Sequence, residues 1–283
     1  MKTIGFVDYY ISEWHANNYP DYISRLNEKL GTDFRVKYMW AEKDISLEDG
    51  RDTDSWCRDF KVEKCASIDE VCQKSDYIFL LAPNNPEKHL EYAAQILKYG
   101  KNTYIDKTFA PDYATAKAIF NIAEQYGTKF FSTSALRYAH ELKDVVNSRS
   151  AITFGGGMFM DVYIIHQIEM IVKVMNSAPI AVRVEKQENQ YLCSIRFVNG
   201  RSATMIYSQA LTFMICVEDF EGKPIYRKIE SDFFIDLVED ILRFLQTGEQ
   251  PFNNRQTLWA MSIREAVIAG KNKLGEWIKL QCD

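Results

Sequence analysis

The first half of the chain alternates short β-forming runs with helical stretches, and this alternation restricts the fold more than any other feature of the sequence. Lys2–Val7 and Tyr77–Ala82 are each followed by a helical segment, and Phe34–Ala41 is a further strand candidate. The run from Tyr77 is apolar on both faces, as a central strand of a parallel sheet should be. The pattern predicts a doubly wound α/β domain, in which helices cover both faces of a parallel sheet.

Residues that begin and end helices support this prediction. The first predicted helix, Glu13–Leu30, stops before Gly31, a residue that helix C-termini favour. A second helix is expected between Asn85, as its cap, and Gly100. The remaining predictions for this half are a third helix after Pro111-Asp112 and strands at Thr103–Asp106 and Lys129–Ser132.

After about residue 150 the rhythm changes to consecutive strand candidates, which predicts a mostly antiparallel, open sheet in an α+β domain. We expect domains at residues 1–135 and 136–283, with the closing helices able to pack back on the first. The predicted elements of the second half are helix Tyr163–Met175, strands Ile180–Glu185, Tyr191–Val198, Ser202–Ser208, Met214–Asp219 and Pro224–Ile229, and helices Phe233–Thr247 and Gln256–Gly270.

Composition excludes several classes of protein. The chain has 47% hydrophobic and 26% charged residues, as folded soluble proteins do, and no apolar run near the ~20 residues of a membrane span. With 34 basic and 39 acidic residues and no basic cluster, nucleic acid is not an expected partner. The six cysteines form no Cys-x-x-Cys pair and there are only four histidines, so we expect no metal site and a reducing, cytoplasmic location.

Ligands of open parallel sheets bind beyond the carboxyl ends of the strands, so the first turn is the first place to look for a site. A dinucleotide-binding turn reads Gly-x-Gly-x-x-Gly, but here only Gly5 is present, followed by Asp8, Tyr9, Tyr10 and Ile11. If Asp8 faced a phosphate, the repulsion would be about 3–4 kcal/mol at an effective dielectric of ~20. The equally weighted alternative is that Asp8 turns sideways and accepts an N–H of the turn.

Three more strand ends hold candidate residues. Glu42 follows the second strand, where a carboxylate could accept the ribose hydroxyls of an adenosine, which fits NAD better than NADP. Ala82-Pro83-Asn84 makes a sharp turn after the central strand and exposes amides. Lys107 lies at the mouth of a buried strand, where Asp106 or another carboxylate could hold its ammonium group.

Together these segments resemble the Gfo/Idh/MocA family, named for glucose-fructose oxidoreductase, inositol dehydrogenase and a rhizopine-catabolism protein. The resemblance covers nearly the whole chain, with a degenerate glycine-rich loop. The matching segments are Asp106-Lys107-Thr108 for the family's Glu-Lys-Pro, Pro83-Asn84 and His89 for its Pro-Asn turn and following His, Ile11–Ala16 for the start of its first helix, Ser132–Tyr138, the triplet Gly155–Gly157, His166–Glu169 for its His-x-x-Asp, and the closing segment Gly248–Leu280.

The resemblance implies a Rossmann-type first domain and an NAD- or NADP-dependent oxidoreductase, with NAD slightly preferred, that acts on a sugar, cyclitol or related polyol. It implies Lys107 and His166 as catalytic residues, with Asp161 near the position of the family's Asp, which falls on Val162. The implied cofactor-binding residues are Asp8, Tyr9, Tyr10, Ile11, Glu42, Ala82, Pro83, Asn84, His89, Asp106 and Lys107.

Two alternatives remain open from the sequence. In the first, the protein is a working dehydrogenase with a rebuilt turn in which Tyr9 or Tyr10 covers the pyrophosphate. In the second, it keeps the fold but has lost hydride transfer, and serves as a sugar-binding or regulatory protein. In both, we expect a homodimer or homotetramer formed through the C-terminal sheet, because its aromatic-rich strands have no following helix to cover one face.

Overall fold

The protein folds as two compact units, each with its own sheet. A computed structural model describes residues 1–282. The first unit comprises Met1–Ala110, Ala114–Ser132 and Ile235–Phe252, and the second comprises the rest of the described chain. The chain therefore leaves the first unit near residue 132 and returns to it for one closing helix.

The first unit contains a six-stranded parallel sheet with helices, which is a Rossmann-like architecture. Its strands are β1 (Lys2–Tyr10), β2 (Phe34–Lys43), β3 (Glu63–Lys64), β4 (Tyr77–Leu80), β5 (Thr103–Ile105) and β6 (Phe130–Phe131). Its helices before β6 are α1 (Trp14–Leu30), α2 (Thr53–Phe60), α3 (Ile68–Lys74), α4 (His89–Ile96) and α5 (Tyr113–Tyr126).

The strand order β3-β2-β1-β4-β5-β6 confirms the predicted doubly wound sheet. Every neighbouring pair is parallel, so all the carboxyl ends lie along one edge. The order reverses between β1 and β4, and the crevice at such a reversal is where open α/β sheets bind ligands. The ends of β1 and β4 therefore define the place to look for a site.

β1 is longer than its sequence predicts. The expectation that it ends at Val7 was wrong, since it continues to Tyr10, with Asp8 in register beside Ala41 of β2. A charged residue is tolerated inside the strand because its carboxylate is hydrogen-bonded there, as described below. Gly5 also has a structural reason, since a Cβ at this position would lie 2.4 Å from Ser75 Oγ.

Helix ends follow the sequence at some positions and depart from it at others. The predicted end of α1 is confirmed, because Gly31 has a left-handed φ of 62°. The prediction that Asn85 caps the next helix was wrong, since its side chain forms no cap and donates to Glu87 instead. The single helix expected there is α4, flanked by 3-10 turns at Pro86–Lys88 and Leu97–Tyr99.

The second unit is built on a seven-stranded sheet. Its elements and the closing helices are β7 (Ser150–Gly155), α6 (Met160–Met175), β8 (Pro179–Gln187), β9 (Gln190–Phe197), β10 (Ser202–Tyr207), β11 (Met214–Glu218), β12 (Pro224–Lys228), α7 (Phe233–Thr247), α8 (Arg255–Gly270) and β13 (Trp277–Lys279). From Ile235 onward, α7 belongs to the first unit.

The sheet order is β12-β11-β7-β10-β9-β8-β13, and the pairing is mostly antiparallel, as predicted. The exception is β7, which the sequence analysis missed and which pairs with β10 in parallel. Asn199 and Gly200 turn the chain between the antiparallel strands β9 and β10, and Gly222 does so between β11 and β12, each with a positive φ. Helices α6 and α8 pack against this sheet. No helix within residues 1–282 has the length and apolar character needed to cross a bilayer.

Candidate active site

Asp8 ties together two strand ends at the reversal point of the sheet. Its Oδ1 accepts hydrogen bonds from the backbone N–H of Tyr9 at 2.7 Å and of Ala82 at 3.0 Å. Of the two orientations considered from the sequence, Asp8 therefore adopts the one in which its carboxylate accepts backbone N–H groups. Burial raises the pKa of Asp8 well above its ordinary value, and the nearby negative charge of Glu13 raises it further.

Glu13 occupies the start of α1, and the sequence analysis did not identify it as a functional residue. Its carboxylate accepts hydrogen bonds from the backbone N–H groups of His15, at 2.8 Å, and of Ala16. His15 Nδ1 lies 3.0 Å from Glu13 Oε2 and 3.4 Å from Asp106 Oδ2. A polar residue directly before an amphipathic helix is a cap signal, and that signal was present in the sequence.

The turn that follows β1 is held by the segment after β2. Ser12 Oγ donates to Asp49 at 2.7 Å, and Ser46 Oγ donates to the Ser12 carbonyl at 2.6 Å. Residues 44–52 therefore fasten the first turn at both its side chain and its backbone. Glu48 from the same segment accepts hydrogen bonds from Tyr10 Oη, at 3.2 Å, and from the amide of Asn84, at 3.0 Å.

Glu42 lies near the end of β2, as predicted, but it is already engaged. It accepts a hydrogen bond from Tyr92 Oη at 2.7 Å and forms an ion pair with Lys88 at 2.7 Å. Burial alone would raise the pKa of Glu42, but the hydrogen bonds from Lys88 and Tyr92 outweigh it, so the pKa is lowered. Lys43 Nζ and Lys88 Nζ both lie 5.8 Å from the ring centre of Tyr9. The end of β2 thus presents a carboxylate with two lysines.

The turn after β4 is stiffened by two buried groups. Ala82 has a φ of 56°, a conformation that side chains rarely adopt, and its N–H is held by Asp8. His89 is fully buried, with Nε2 2.7 Å from the Leu81 carbonyl and Nδ1 2.9 Å from that of Phe109. Since both ring nitrogens face backbone carbonyls, His89 positions the turns after β4 and β5. Burial lowers the pKa of His89, and the two carbonyl contacts only partly oppose this effect.

Asp106 and Lys107 follow β5. The Asp106 carboxylate accepts from the Lys107 backbone N–H at 2.8 Å and from Tyr104 Oη at 3.0 Å. The expectation that Asp106 holds the Lys107 ammonium group was therefore wrong, because its bond is to the backbone. Lys107 Nζ is half-buried and lies 3.5 Å from the Pro83 carbonyl, and no carboxylate within residues 1–282 pairs with it.

His166 lies on α6 in the second unit. Its Nδ1 is 2.6 Å from Ser134 Oγ, and its ring contacts those of Tyr163 and Phe213 at centroid distances of 5.8 Å and 5.7 Å. Ser134 precedes a 3-10 turn at Ala135–Tyr138 and is completely buried. Sequence reasoning missed Ser134 as a partner of His166, because the two are 32 residues apart.

Asp161 lies in the first turn of α6 and forms an ion pair with Lys271 at 2.5 Å. Its backbone carbonyl accepts from Arg264 at 2.8 Å. A groove of about 540 Å³ opens beside this pair. It is lined by Met158, Phe159, Met160, Asp161, Asn189, Tyr191, Tyr207, Ser208, Gln209, Ala210 and Lys271.

A buried ion pair fastens the segment that carries Ser134 to α6. Glu169 Oε2 accepts from Arg137 Nε at 2.9 Å and from Thr133 Oγ1 at 3.1 Å, and the two charged residues are 3% and 5% exposed. Arg137 also donates to Gln256 of α8 at 2.7 Å. Glu169 thus fills the last position of the His-x-x-Asp-like motif with a structural carboxylate.

Part of the chain matches a known family. Residues 43–134 match the model of the GFO_IDH_MocA family, described as an oxidoreductase family with an NAD-binding Rossmann fold. This supports the assignment to the Gfo/Idh/MocA family. The match begins after β1, the first turn and nearly all of β2, which is the region where this chain lacks the glycine-rich loop.

A curated relative and two solved structures extend the comparison. The uncharacterized oxidoreductase YhhX of Escherichia coli K12 is 34% identical over 62 residues, which is 22% of this chain and only 18% of the relative. The myo-inositol dehydrogenase of Lactobacillus casei, solved with NAD(H) and myo-inositol, superposes with a TM-score of 0.81 at 11% identity, covering 100% and 97% of the two chains. The aldose-aldose oxidoreductase of Caulobacter crescentus, solved with glycerol, gives 0.73 at 12% identity over 99% and 100%. At these identities the two solved structures show a shared fold.

Proposed function

We propose that this protein is an oxidoreductase that transfers a hydride between NAD or NADP and a carbon of a sugar, cyclitol or related polyol. The observation that carries the proposal is Lys107, whose half-buried ammonium group has no carboxylate partner within residues 1–282 at the ligand edge of the parallel sheet. Burying such a cation without a partner is unfavourable, and a function at the site explains why it is kept. The relatives that share this fold and act on inositol or aldoses support the substrate class.

The chain's own groups would handle the substrate hydroxyl and its proton. Lys107 would donate a hydrogen bond to the reacting oxygen and stabilise negative charge on it. His166 would accept or return the hydroxyl proton through Nε2, since its Nδ1 is oriented by Ser134. We assign Asp161, with Lys271, to binding further hydroxyl groups in the groove beside α6.

The nicotinamide cofactor would supply the hydride donor or acceptor. Its adenosine end would lie along the edge of the sheet beside Tyr9, Tyr10 and the turn Ala82–Asn84. Its ribose would lie at Glu42, a carboxylate that Tyr92 and Lys88 also bind. The pyrophosphate fits the start of α1 only after the Glu13 carboxylate has left it. Because Lys43 and Lys88 offset the charge of Glu42, we expect NAD to be preferred over NADP by less than about tenfold.

A titration of the purified protein with NADH and NADPH, followed by nicotinamide fluorescence, tests this function. We expect both reduced coenzymes to bind. In a separate assay with NAD⁺ as the hydride acceptor, we expect NADH to form when inositols or aldoses are added. The proposal would be contradicted if neither NADH nor NADPH bound to the protein.

The position of Glu13 favours a second candidate, a sugar-binding or regulatory protein that has lost hydride transfer. Such a protein would bind a polyol in the second unit without any coenzyme. Calorimetry with the same polyols, in the absence of coenzyme, separates this candidate from the first.

A further inference from the structure

The start of α1 offers the backbone N–H groups that a phosphate would use in a dinucleotide-binding turn. In this chain those donors already have an acceptor of the same charge as a phosphate. The Glu13 carboxylate accepts from the amides of His15 and Ala16, and Glu13 itself is only 2% exposed. A phosphate at this position would therefore compete with Glu13 for the same two donors.

Two further buried carboxyl groups lie near Glu13. Asp8 and Asp106 are each 1% exposed, and His15 Nδ1 lies 3.0 Å from Glu13 Oε2 and 3.4 Å from Asp106 Oδ2. Asp8 Oδ2 has no hydrogen-bond partner among residues 1–282. Each of these carboxyl groups that is ionised repels an incoming phosphate, because buried charges interact strongly in a medium of low dielectric constant.

The backbone of the turn is also fixed in this state. Ser12 is held through its side chain by Asp49 and through its carbonyl by Ser46. These contacts fix the turn in place but do not involve Glu13, whose side chain is the group that covers the two amides. Asp49 also brings another carboxylate to the turn.

We propose that Glu13 is an internal competitor of the coenzyme, occupying the phosphate position at the start of α1, so that a dinucleotide binds there only when the Glu13 carboxylate is displaced. This inference rests on the proposed function for the identity of the ligand. Its test, however, measures phosphate binding without hydride transfer, so the two can fail separately.

The experiment is isothermal titration of the full chain with ADP, and with adenosine as a probe that lacks phosphate. Glu13→Gly frees both amides, and glycine is itself a common residue at helix caps. We expect ADP affinity to rise at least about tenfold in Glu13→Gly, the equivalent of about 1.4 kcal/mol, with adenosine affinity unchanged. Glu13→Gln, which removes the charge but keeps an acceptor oxygen, should give a smaller rise.

Glu28→Gln is the matched control, since it removes one exposed carboxylate from the other end of α1. It should leave ADP affinity unchanged. Equal ADP affinity in the original protein and Glu13→Gly, with circular dichroism showing both folded, would overturn the role of Glu13. A gain for adenosine as large as for ADP would overturn it too, because the effect would not concern phosphate.

The outcomes also separate this inference from the proposed function. Turnover of a polyol by every variant, without any gain in ADP affinity, would remove Glu13 as a competitor and leave the dehydrogenase proposal intact. A gain in ADP affinity with no turnover in any variant would support the role of Glu13 and contradict the dehydrogenase proposal.

Discussion

At the scale of single residues, Asp8 illustrates how a buried carboxyl group supports a turn and destabilises the fold through its charge. Its Oδ1 organises two amides, whereas its Oδ2 has no partner among residues 1–282. Replacing Asp8 by glycine would therefore remove two hydrogen bonds that hold the turn. It would not free the amides at the start of α1, because those amides are bound by Glu13. The more informative change keeps the acceptor and removes the charge.

We predict that Asp8→Asn stabilises the protein above neutral pH. The pKa of the Asp8 carboxyl group is higher in the folded state than in the unfolded chain. The unfolded chain therefore loses this proton at a lower pH than the folded protein does. As the pH rises from the ordinary carboxyl range through the raised pKa of Asp8, the folded state loses stability relative to the unfolded chain. The asparagine variant has no such proton and would not lose that stability. Urea denaturation should show a gain of about 1–3 kcal/mol at pH 8 that shrinks toward pH 4. Asp21→Asn, at an exposed site, is the control, and a gain independent of pH would contradict the assignment.

Lys107 provides the second prediction at this scale. Lys107→Met should lower kcat by about 10²–10⁴ while leaving the fold intact, because methionine matches the aliphatic part of the lysine side chain and lacks its charged group. Steady-state kinetics on the polyol identified in the coenzyme assay would measure the change. Lys98→Met, an exposed site of the same unit, should retain full activity. Normal turnover by Lys107→Met would remove this lysine from the mechanism.

At the scale of elements, the buried pair Arg137–Glu169 decides how the segment before α6 is held. Removing one partner of a buried ion pair leaves the other charge without compensation, at a cost of about 3–5 kcal/mol. We therefore predict that Glu169→Ala lowers the free energy of unfolding by that amount, and that the double change with Arg137→Met loses less than the two single losses added together. Urea denaturation of the single and double variants measures this.

The control for this prediction is Glu185→Ala. Glu185 pairs with Arg183 on the surface of the same unit, and exposed pairs contribute about 1 kcal/mol or less. Equal losses in Glu169→Ala and Glu185→Ala would show that burial of the first pair has no consequence for stability.

At the scale of the whole molecule, the seven-stranded sheet leaves apolar side chains on one face. Ile152, Cys216 and Tyr226 lie opposite each other in register across β7, β11 and β12, and Ile152 and Tyr226 are 40% and 70% exposed. Their neighbours in sequence, such as Ala151 and Ile215, are buried on the other face. An exposed apolar sheet face of this kind favours association with a second copy.

We predict a dimer or tetramer at micromolar concentration, measured by light scattering. Ile152→Arg should shift the mass toward the monomer, because it places a charge in the centre of the apolar face. Leu47→Arg, which changes an equally apolar but 72% exposed residue of the first unit, should not. A monomer mass for the unmodified protein would contradict association through this sheet.

The sequence by itself determined the two kinds of sheet, the end of α1, both ends of α7 and the position of Lys107 after β5, but it did not predict α2, β3 or α3. Hydrophobic periodicity and residues such as Gly31 and Gly222 act locally, so their effects can be deduced from neighbouring positions. It did not reveal that β1 continues through Asp8, since a strand is extended by its neighbours in the sheet.

Only the tertiary structure decided which groups meet. Asp8 reaches Ala82 across 74 positions, and Ser134 reaches His166 across 32. Glu13 could be predicted as a cap from its place before α1, but the carboxyl groups around it come from separate strands. The charge around the first turn is a sum over distant segments, and local patterns do not contain that sum.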